Sequence, residues 1–190
     1  VNVLVISDAS DNSKLGAKVR QELTGFLQAN GCKVSMYEIR TQDMHYCAGC
    51  FGCWFGTPGE CAARDISRDI NKSFIGSNIA IFVSPVKYGC HAPAVRRALD
   101  RMLPNILPYF RKIKGEVHHK PRYRKYPNFA AFGYGEDITD GEADTFRSLC
   151  AANAINLQAK KAETYIIREE TELDDILDSF GKYIEECEKR

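Results

Sequence analysis

Cys47, Cys50 and Cys53 follow one another with two residues between each pair, and Cys61 follows after seven more, so four thiols crowd into fifteen residues. Three thiolates at this spacing can ligate three corners of a [4Fe-4S] cubane. Gly49 and Gly52 would let the backbone wrap closely around it, and Cys61 would supply the fourth iron ligand. Zinc is a weaker account, because structural zinc sites use two separated Cys pairs rather than a tight triplet. Reduced thiols, a disulfide or a redox pair stay open beside the cluster. The chain has eight cysteines in all, but a secreted disulfide framework suits short chains with weak cores. With 190 residues and 44% hydrophobic side chains, this one can bury a core without staples. Cys32 and Cys90 read as core or near-core thiols, and Cys150 and Cys187 fall on helices with no partner visible in sequence.

Charge sets outer bounds. The 26 Lys and Arg nearly cancel the 25 Asp and Glu, so no global field points toward nucleic acid or an anionic membrane. The longest apolar run, around Ile79 to Val86, is too short to cross a bilayer, and the first residues read as a strand rather than a signal peptide. A cytoplasmic protein is expected.

The elements that must position the thiols alternate in type. Val1 to Ile6 is a continuous apolar, β-branched run, the pattern of a parallel strand buried on both faces. Ser13 to Asn30 carries Leu15, Val19, Leu23, Phe26 and Leu27 at helical spacing, with Gly31 just beyond its end. Cys32 to Ile39 is a second strand, Ile66, Ile70, Phe74 and Ile75 mark a helix, and Ile79 to Ser84 is a third strand. Pro93 opens a helix whose inward face is Val95, Ala98, Leu99 and Met102, and Pro104 ends it. Asn128 to Phe132 predicts a fourth strand with a glycine-rich exit, Gly141 to Asn153 a helix, Ala162 to Ile167 a fifth strand and Glu172 to Glu188 a last helix. The long loop from Arg40 to Arg64 holds the cysteines, and loops of that length in compact domains are usually functional. The expectation is one α/β domain over residues 1–190, with a Cys-rich loop at 40–64 and a basic insertion at 104–127. Its five-stranded parallel sheet would have helices on both faces.

Such sheets bind ligands at the carboxyl ends of their strands. After the first strand, Asp8 to Ser13 leads straight into a helix, whose free N–H groups suit a phosphate; Ser10, Asn12 and Ser13 add donors. An ordinary helix cap is the plainer account of this loop. Asp8 and Asp11 place negative charge beside any bound dianion. After the third strand comes Ser84-Pro85-Val86-Lys87-Tyr88-Gly89. Pro85 stiffens the turn, Tyr88 offers an aromatic surface, Gly89 allows close approach to a flat ring, and Lys87 would stabilise an anionic reduced ring. Gly133-Tyr134-Gly135 would complete the ring site.

These residues carry a resemblance. Asn12 and Ser13 resemble the phosphate loop of the flavodoxin family, and Ser84 to Gly89 with Arg96 to Arg101 resemble the NAD(P)H-dependent FMN reductases. Cys50-Phe51-Gly52-Cys53-Trp54 with Thr57-Pro58-Gly59 before Cys61 resembles the iron-sulfur flavoproteins among them, as do Val117 to Tyr123 and Tyr126-Pro127. The resemblance spans most of the chain. It implies a flavodoxin-like three-layer sandwich with strand order 2-1-3-4-5, FMN held by the three loops, and NAD(P)H as electron donor. A homodimer or homotetramer is implied too, and some relatives with a similar cysteine loop are described as flavin reductases with no cluster. The expected activity is FMN-dependent electron transfer, through a [4Fe-4S] cluster at Cys47, Cys50, Cys53 and Cys61 where one is assembled. The acceptor would be a small molecule or a protein such as a ferredoxin. The alternatives are a cluster-free flavin or quinone reductase and a non-catalytic electron-transfer or redox-sensing flavoprotein. Flavin chemistry needs no protein acid, base or nucleophile, so no catalytic side chain is named.

Between Arg111 and Lys125 seven Lys or Arg residues face only Glu116. This flap could attract dinucleotide phosphates or an acidic partner, although a solvated insertion packed on a second subunit is the plainer reading. Tyr109, Phe110, Tyr123 and Tyr126 are expected to anchor it.

Overall fold

A computed structural model describes residues 1–113 and 115–188. In chain order the elements are β1 (Asn2–Asp8), α1 (Lys14–Ala29), β2 (Lys33–Ile39), α2 (Gly52–Phe55), α3 (Ser67–Gly76), β3 (Ile79–Lys87), β4 (Cys90–His91), α4 (Pro93–Asp100), β5 (Ile106–Ile113), β6 (Glu116–Pro121), β7 (Asn128–Tyr134), α5 (Asp140–Asn156), β8 (Ala162–Ile167) and α6 (Leu173–Glu188). The main sheet runs β2-β1-β3-β7-β8, and every pair along that path is parallel. Counted as the five expected strands, this is the order 2-1-3-4-5.

The apolar runs explain the layering. The inner strands β1, β3 and β7 are buried almost throughout, as strands covered on both faces must be. Successive side chains alternate between two cores. Leu4, Ile6, Ala80, Phe82, Phe129 and Ala131 pack under α3, α4 and α5. Val3, Val5, Ile79, Ile81, Ala130 and Phe132 pack under α1 and α6. Helices therefore cover both faces. No helix among the described residues is long and apolar enough to cross a membrane.

Three departures bear on the site. β3 runs on to Lys87 rather than ending at Ser84, so Ser84, Pro85 and Val86 are strand residues. It then folds back through Tyr88 and Gly89 to β4, with Lys87 opposite Cys90. Both turn residues have positive φ, 52° and 71°, the geometry of a two-residue hairpin turn whose twist matches the strands. Likewise β7 includes Gly133 and Tyr134. Gly133 lies in the strand because a Cβ there would stand 2.6 Å from the Phe146 ring and 2.7 Å from Val86; it is a glycine of close sheet–helix packing, not a turn.

The basic insertion is an antiparallel hairpin of β5 and β6, with a register shift between Ile106 and Phe110. Tyr126 anchors it, receiving the amides of Arg122 (2.8 Å) and Tyr123 (3.2 Å) and donating to the Asn105 carbonyl. Tyr109 and Phe110 are not anchors; they are 64% and 59% exposed.

Candidate functional site

The carboxyl ends of β1, β3 and β7 converge where the fold class places ligands. Ser13 ends the first loop as the N-cap of α1, its hydroxyl accepting the Gly16 amide at 3.0 Å. That hydroxyl donates in turn to Asp11 Oδ2 at 2.7 Å, and Asp11 Oδ1 accepts the Ser13 amide at 3.3 Å. The Tyr134 hydroxyl, arriving from the end of β7, donates to Asp11 Oδ2 at 2.8 Å. Arg20, one turn beyond Gly16 on the same face of α1, donates to Tyr134 Oη at 3.2 Å and to the Asp11 carbonyl at 3.2 Å. Its guanidinium lies 3.8 Å from the Asp11 carboxylate.

These groups form a seat for an anionic oxygen. A Cβ at Gly16 would collide with Asp11 Oδ2 and stand 2.7 Å from the Tyr134 ring, so only glycine leaves room for the carboxylate against the helix. Ser7 adds an observation of the same kind: its hydroxyl is fully buried on β1 without a hydrogen-bond partner. Strand alternation places it on the α1 face with Val3 and Val5. O–H and N–H donors beside a guanidinium are what a flavin phosphate requires, so Ser13, Tyr134 and Arg20 fit that group.

Burial tends to raise the Asp11 pKa, but the hydrogen bonds from Ser13 and Tyr134 with the Arg20 charge outweigh it. The carboxyl is held below its usual value. Burial first, then the Asp11 hydrogen bond and charge, push the Tyr134 phenol far up, so it stays a donor. Asp8 is buried and its Oδ1 accepts the Ser10 amide at 2.7 Å, which shapes the turn. Gly16, Arg20 and the bridging role of Asp11 were absent from the sequence reading. The available signal was the i, i+4 pair of Gly16 and Arg20 on a helix face that otherwise packs inward.

The second loop divides. The Ser84 hydroxyl accepts the Ala92 amide at 2.8 Å and donates to the Pro85 carbonyl at 2.9 Å; with Pro85 and Val86 it is buried, so these three shape the strand end. Gly89 is buried too, and a Cβ there would stand 2.7 Å from Thr145 of α5. It serves approach to a helix rather than to a ring. Lys87 and Tyr88 remain at the tip, Tyr88 being 93% exposed. A bulky residue with positive φ is an uncommon conformation that displays the phenol away from the body. Cavities of about 580 Å³ lie elsewhere. One is lined by Tyr46, Leu99, Met102, Ile106, His119 and Leu157. Another has a basic rim of Arg111, Arg124, Lys125, Lys160 and Lys161. The basic cavity reaches Ala162 at the start of β8, so it sits at the sheet edge opposite the three loops.

The cysteine loop is tied to α4 rather than to these loops. Arg97 donates to the carbonyls of Thr41 and Met44 (2.9 Å), and its guanidinium lies 3.6 Å from the centre of the Tyr46 ring. Arg101, buried in the interior, donates to the His45 carbonyl, pairs with Asp65 at 3.0 Å, reaches the Ser67 hydroxyl at 2.7 Å and lies 3.2 Å from the Cys61 sulfur. Trp54 on the single turn of α2 donates to the carbonyls of Leu103 (3.2 Å) and Ile106 (3.0 Å). It also continues a row of rings, Phe51 at 5.2 Å and His119 at 5.1 Å. Gly49 takes the left-handed φ of 62°, as wrapping of the loop requires, whereas Gly52 opens α2.

Cys47 and Cys50 are exposed, Cys53 and Cys61 half-buried, and all are free thiols. Burial, then the charges of Cys61, Cys47 and Cys50, raise the Cys53 pKa. No three His, Cys, Asp or Glu side chains among the described residues are arranged to hold a metal ion. The expected four-ligand cluster geometry is not formed in this conformation.

No family model matches the chain, and no curated protein matches it. Solved structures do. An NAD(P)H:quinone oxidoreductase from Methanothermobacter marburgensis superposes with a TM-score of 0.68 at 9% identity, over 94% of this chain and 91% of that one. An FMN-dependent NADH-azoreductase from Bacillus anthracis, in complex with FMN, gives 0.60 at 12% identity, over 94% and 95%. An azoreductase AzrA gives 0.62 at 11% identity, over 94% of each chain. Strand order, the two helical layers and these superpositions agree, and the chain has the flavodoxin-like α/β fold.

Proposed function

We propose that the chain is an FMN-dependent oxidoreductase that takes electrons from NAD(P)H, or from a reduced protein, and passes them to a small molecule or a redox protein. The observation that carries this reading is the anion seat between α1 and Tyr134, set beside the carboxyl end of β3 in a fold shared with FMN-dependent reductases. Ser13, Tyr134 and Arg20 would hold the phosphate, with Ser10 and Asn12 at its outer side. Lys87 and Tyr88, exposed at the β3 tip, would hold the ring, Lys87 by stabilising negative charge on it and Tyr88 by its aromatic surface. A bound flavin supplies hydride acceptance with release of electrons one at a time. Ser84, Pro85, Val86, Gly89, Gly133 and Gly135 fix the backbone around the site. The test is purified protein prepared without oxygen: it should show or gain a flavin spectrum with FMN and oxidise NADH or NADPH with an artificial acceptor. Lack of any flavin spectrum overturns the reading.

A second reading adds a [4Fe-4S] cluster on Cys47, Cys50, Cys53 and Cys61, supported by the spacing of these four thiols in the sequence. About four irons per chain in anaerobic protein would support it, and none would leave the plain reductase. Self-association belongs to the same proposal. Phe51, Phe55, Tyr109, Phe110 and Val117 are all exposed, and apolar surface of this kind marks an interface.

A further inference from the structure

The seat at the head of α1 is taken by an anion that belongs to the chain itself. Asp11 engages the Ser13 hydroxyl at 2.7 Å, the Ser13 amide at 3.3 Å and the Tyr134 hydroxyl at 2.8 Å, with Arg20 at 3.8 Å. These are the donors assigned above to a phosphate. The missing Cβ of Gly16 lets the Asp11 carboxylate press against the helix. Asp8 does not share this position, because its own carboxylate is engaged by the Ser10 amide.

We propose that Asp11 is an internal occupant of the phosphate subsite, which must swing out before a flavin phosphate can enter, so that this chain selects its flavin by the ring rather than by the phosphate. The inference rests on the flavin reading of the same site and deepens it. A phosphate entering the seat exchanges donors with Asp11 instead of finding them free. Charge-assisted hydrogen bonds are lost as others form, and the displaced carboxylate stays close to a dianion. The phosphate therefore adds little net affinity. FMN and riboflavin, which differ only in that group, should bind with similar strength.

Flavin fluorescence titrations with FMN and with riboflavin test this on the wild-type chain and on Asp11→Asn and Asp11→Ser. Wild type should prefer FMN by less than about tenfold; in the variants the preference should rise by about ten- to a hundredfold with riboflavin affinity little changed, the worth of one or two freed charge-assisted hydrogen bonds. A wild-type preference for FMN above about a hundredfold overturns the proposal without any variant, on the same scale. So does a preference that stays the same or falls in folded variants. If all three proteins bind neither flavin, the flavin reading itself is overturned.

Discussion

At the scale of single residues, two buried positions carry the argument and each makes a prediction. Gly16→Ala would drive a methyl group into the Asp11 carboxylate and to within 2.7 Å of the Tyr134 ring. The substitution should cost about 1–3 kcal/mol in denaturant unfolding, as overpacking of a rigid site does. Arg101→Met should be worse. It strands Asp65, Ser67 and the His45 carbonyl around an apolar chain, and breaking a buried pair from one side costs about 3–5 kcal/mol. The same pair sets a pH dependence. Burial works to raise the Asp65 pKa, but hydrogen bonds from Ser67 and His45 with the Arg101 charge bring it below the usual carboxylate value. A group depressed on folding contributes fully above its unfolded pKa and loses that contribution as pH falls through its folded one. The loss with acid in wild type should be shallower in Asp65→Asn, read from urea midpoints between neutral pH and the acid limb. His91, by contrast, is held neutral: burial first and then the Arg96 charge bring its pKa down to about 3. Its ring lies among Phe82 and Phe146 with the Cys150 sulfur 3.7 Å from Nε2, a packed interior group rather than a reactive one.

At the scale of elements, Trp54 is the chain's single tryptophan and ties the cysteine turn α2 to the start of the β5–β6 hairpin. Trp54→Ala removes both carbonyl contacts and the ring row. Maleimide labelling of half-buried Cys53 should then accelerate by about tenfold or more, the effect of easing local opening by 1.4 kcal/mol, while far-UV circular dichroism is unchanged. An unchanged labelling rate would show that α2 is held by something else. What the sequence made legible follows from physics of the same kind. β1, β3 and β7 announce themselves because a strand buried on both faces must be apolar at nearly every position, and the Ser13 cap follows from local chemistry. The hairpin was not legible. In Ile106–Ile113 the exposed Tyr109 and Phe110 break the alternation of a half-buried strand, and a register shift follows Ile106. The ends of β3 and β7 were misplaced because Pro85 and Gly133 look like punctuation. Pro85 is nevertheless tolerated within the strand, and Gly133 is a packing glycine.

At the scale of the whole molecule, the anion seat joins Asp11 to Tyr134, 123 positions apart. No local pattern could have shown it; only the neighbouring of β1, β3 and β7 brings the two together. The same view separates the seat from the basic hairpin, whose cations gather at the opposite edge of the sheet. That hairpin is thus poorly placed to hold dinucleotide phosphates at its own chain's flavin loops. Its exposed rings suit contact between copies. Phe110→Asp should shift sedimentation toward the monomer while leaving FMN binding in place, and a wild-type chain that is monomeric at all concentrations would contradict that surface assignment.

The measurement that tests the central claim most directly is an anaerobic titration of flavin-free protein with FMN, followed by addition of NADH or NADPH. The account predicts saturation at one flavin per chain and bleaching of the bound flavin by a reduced nicotinamide or a reduced protein donor. Wild-type protein that binds no flavin would contradict it.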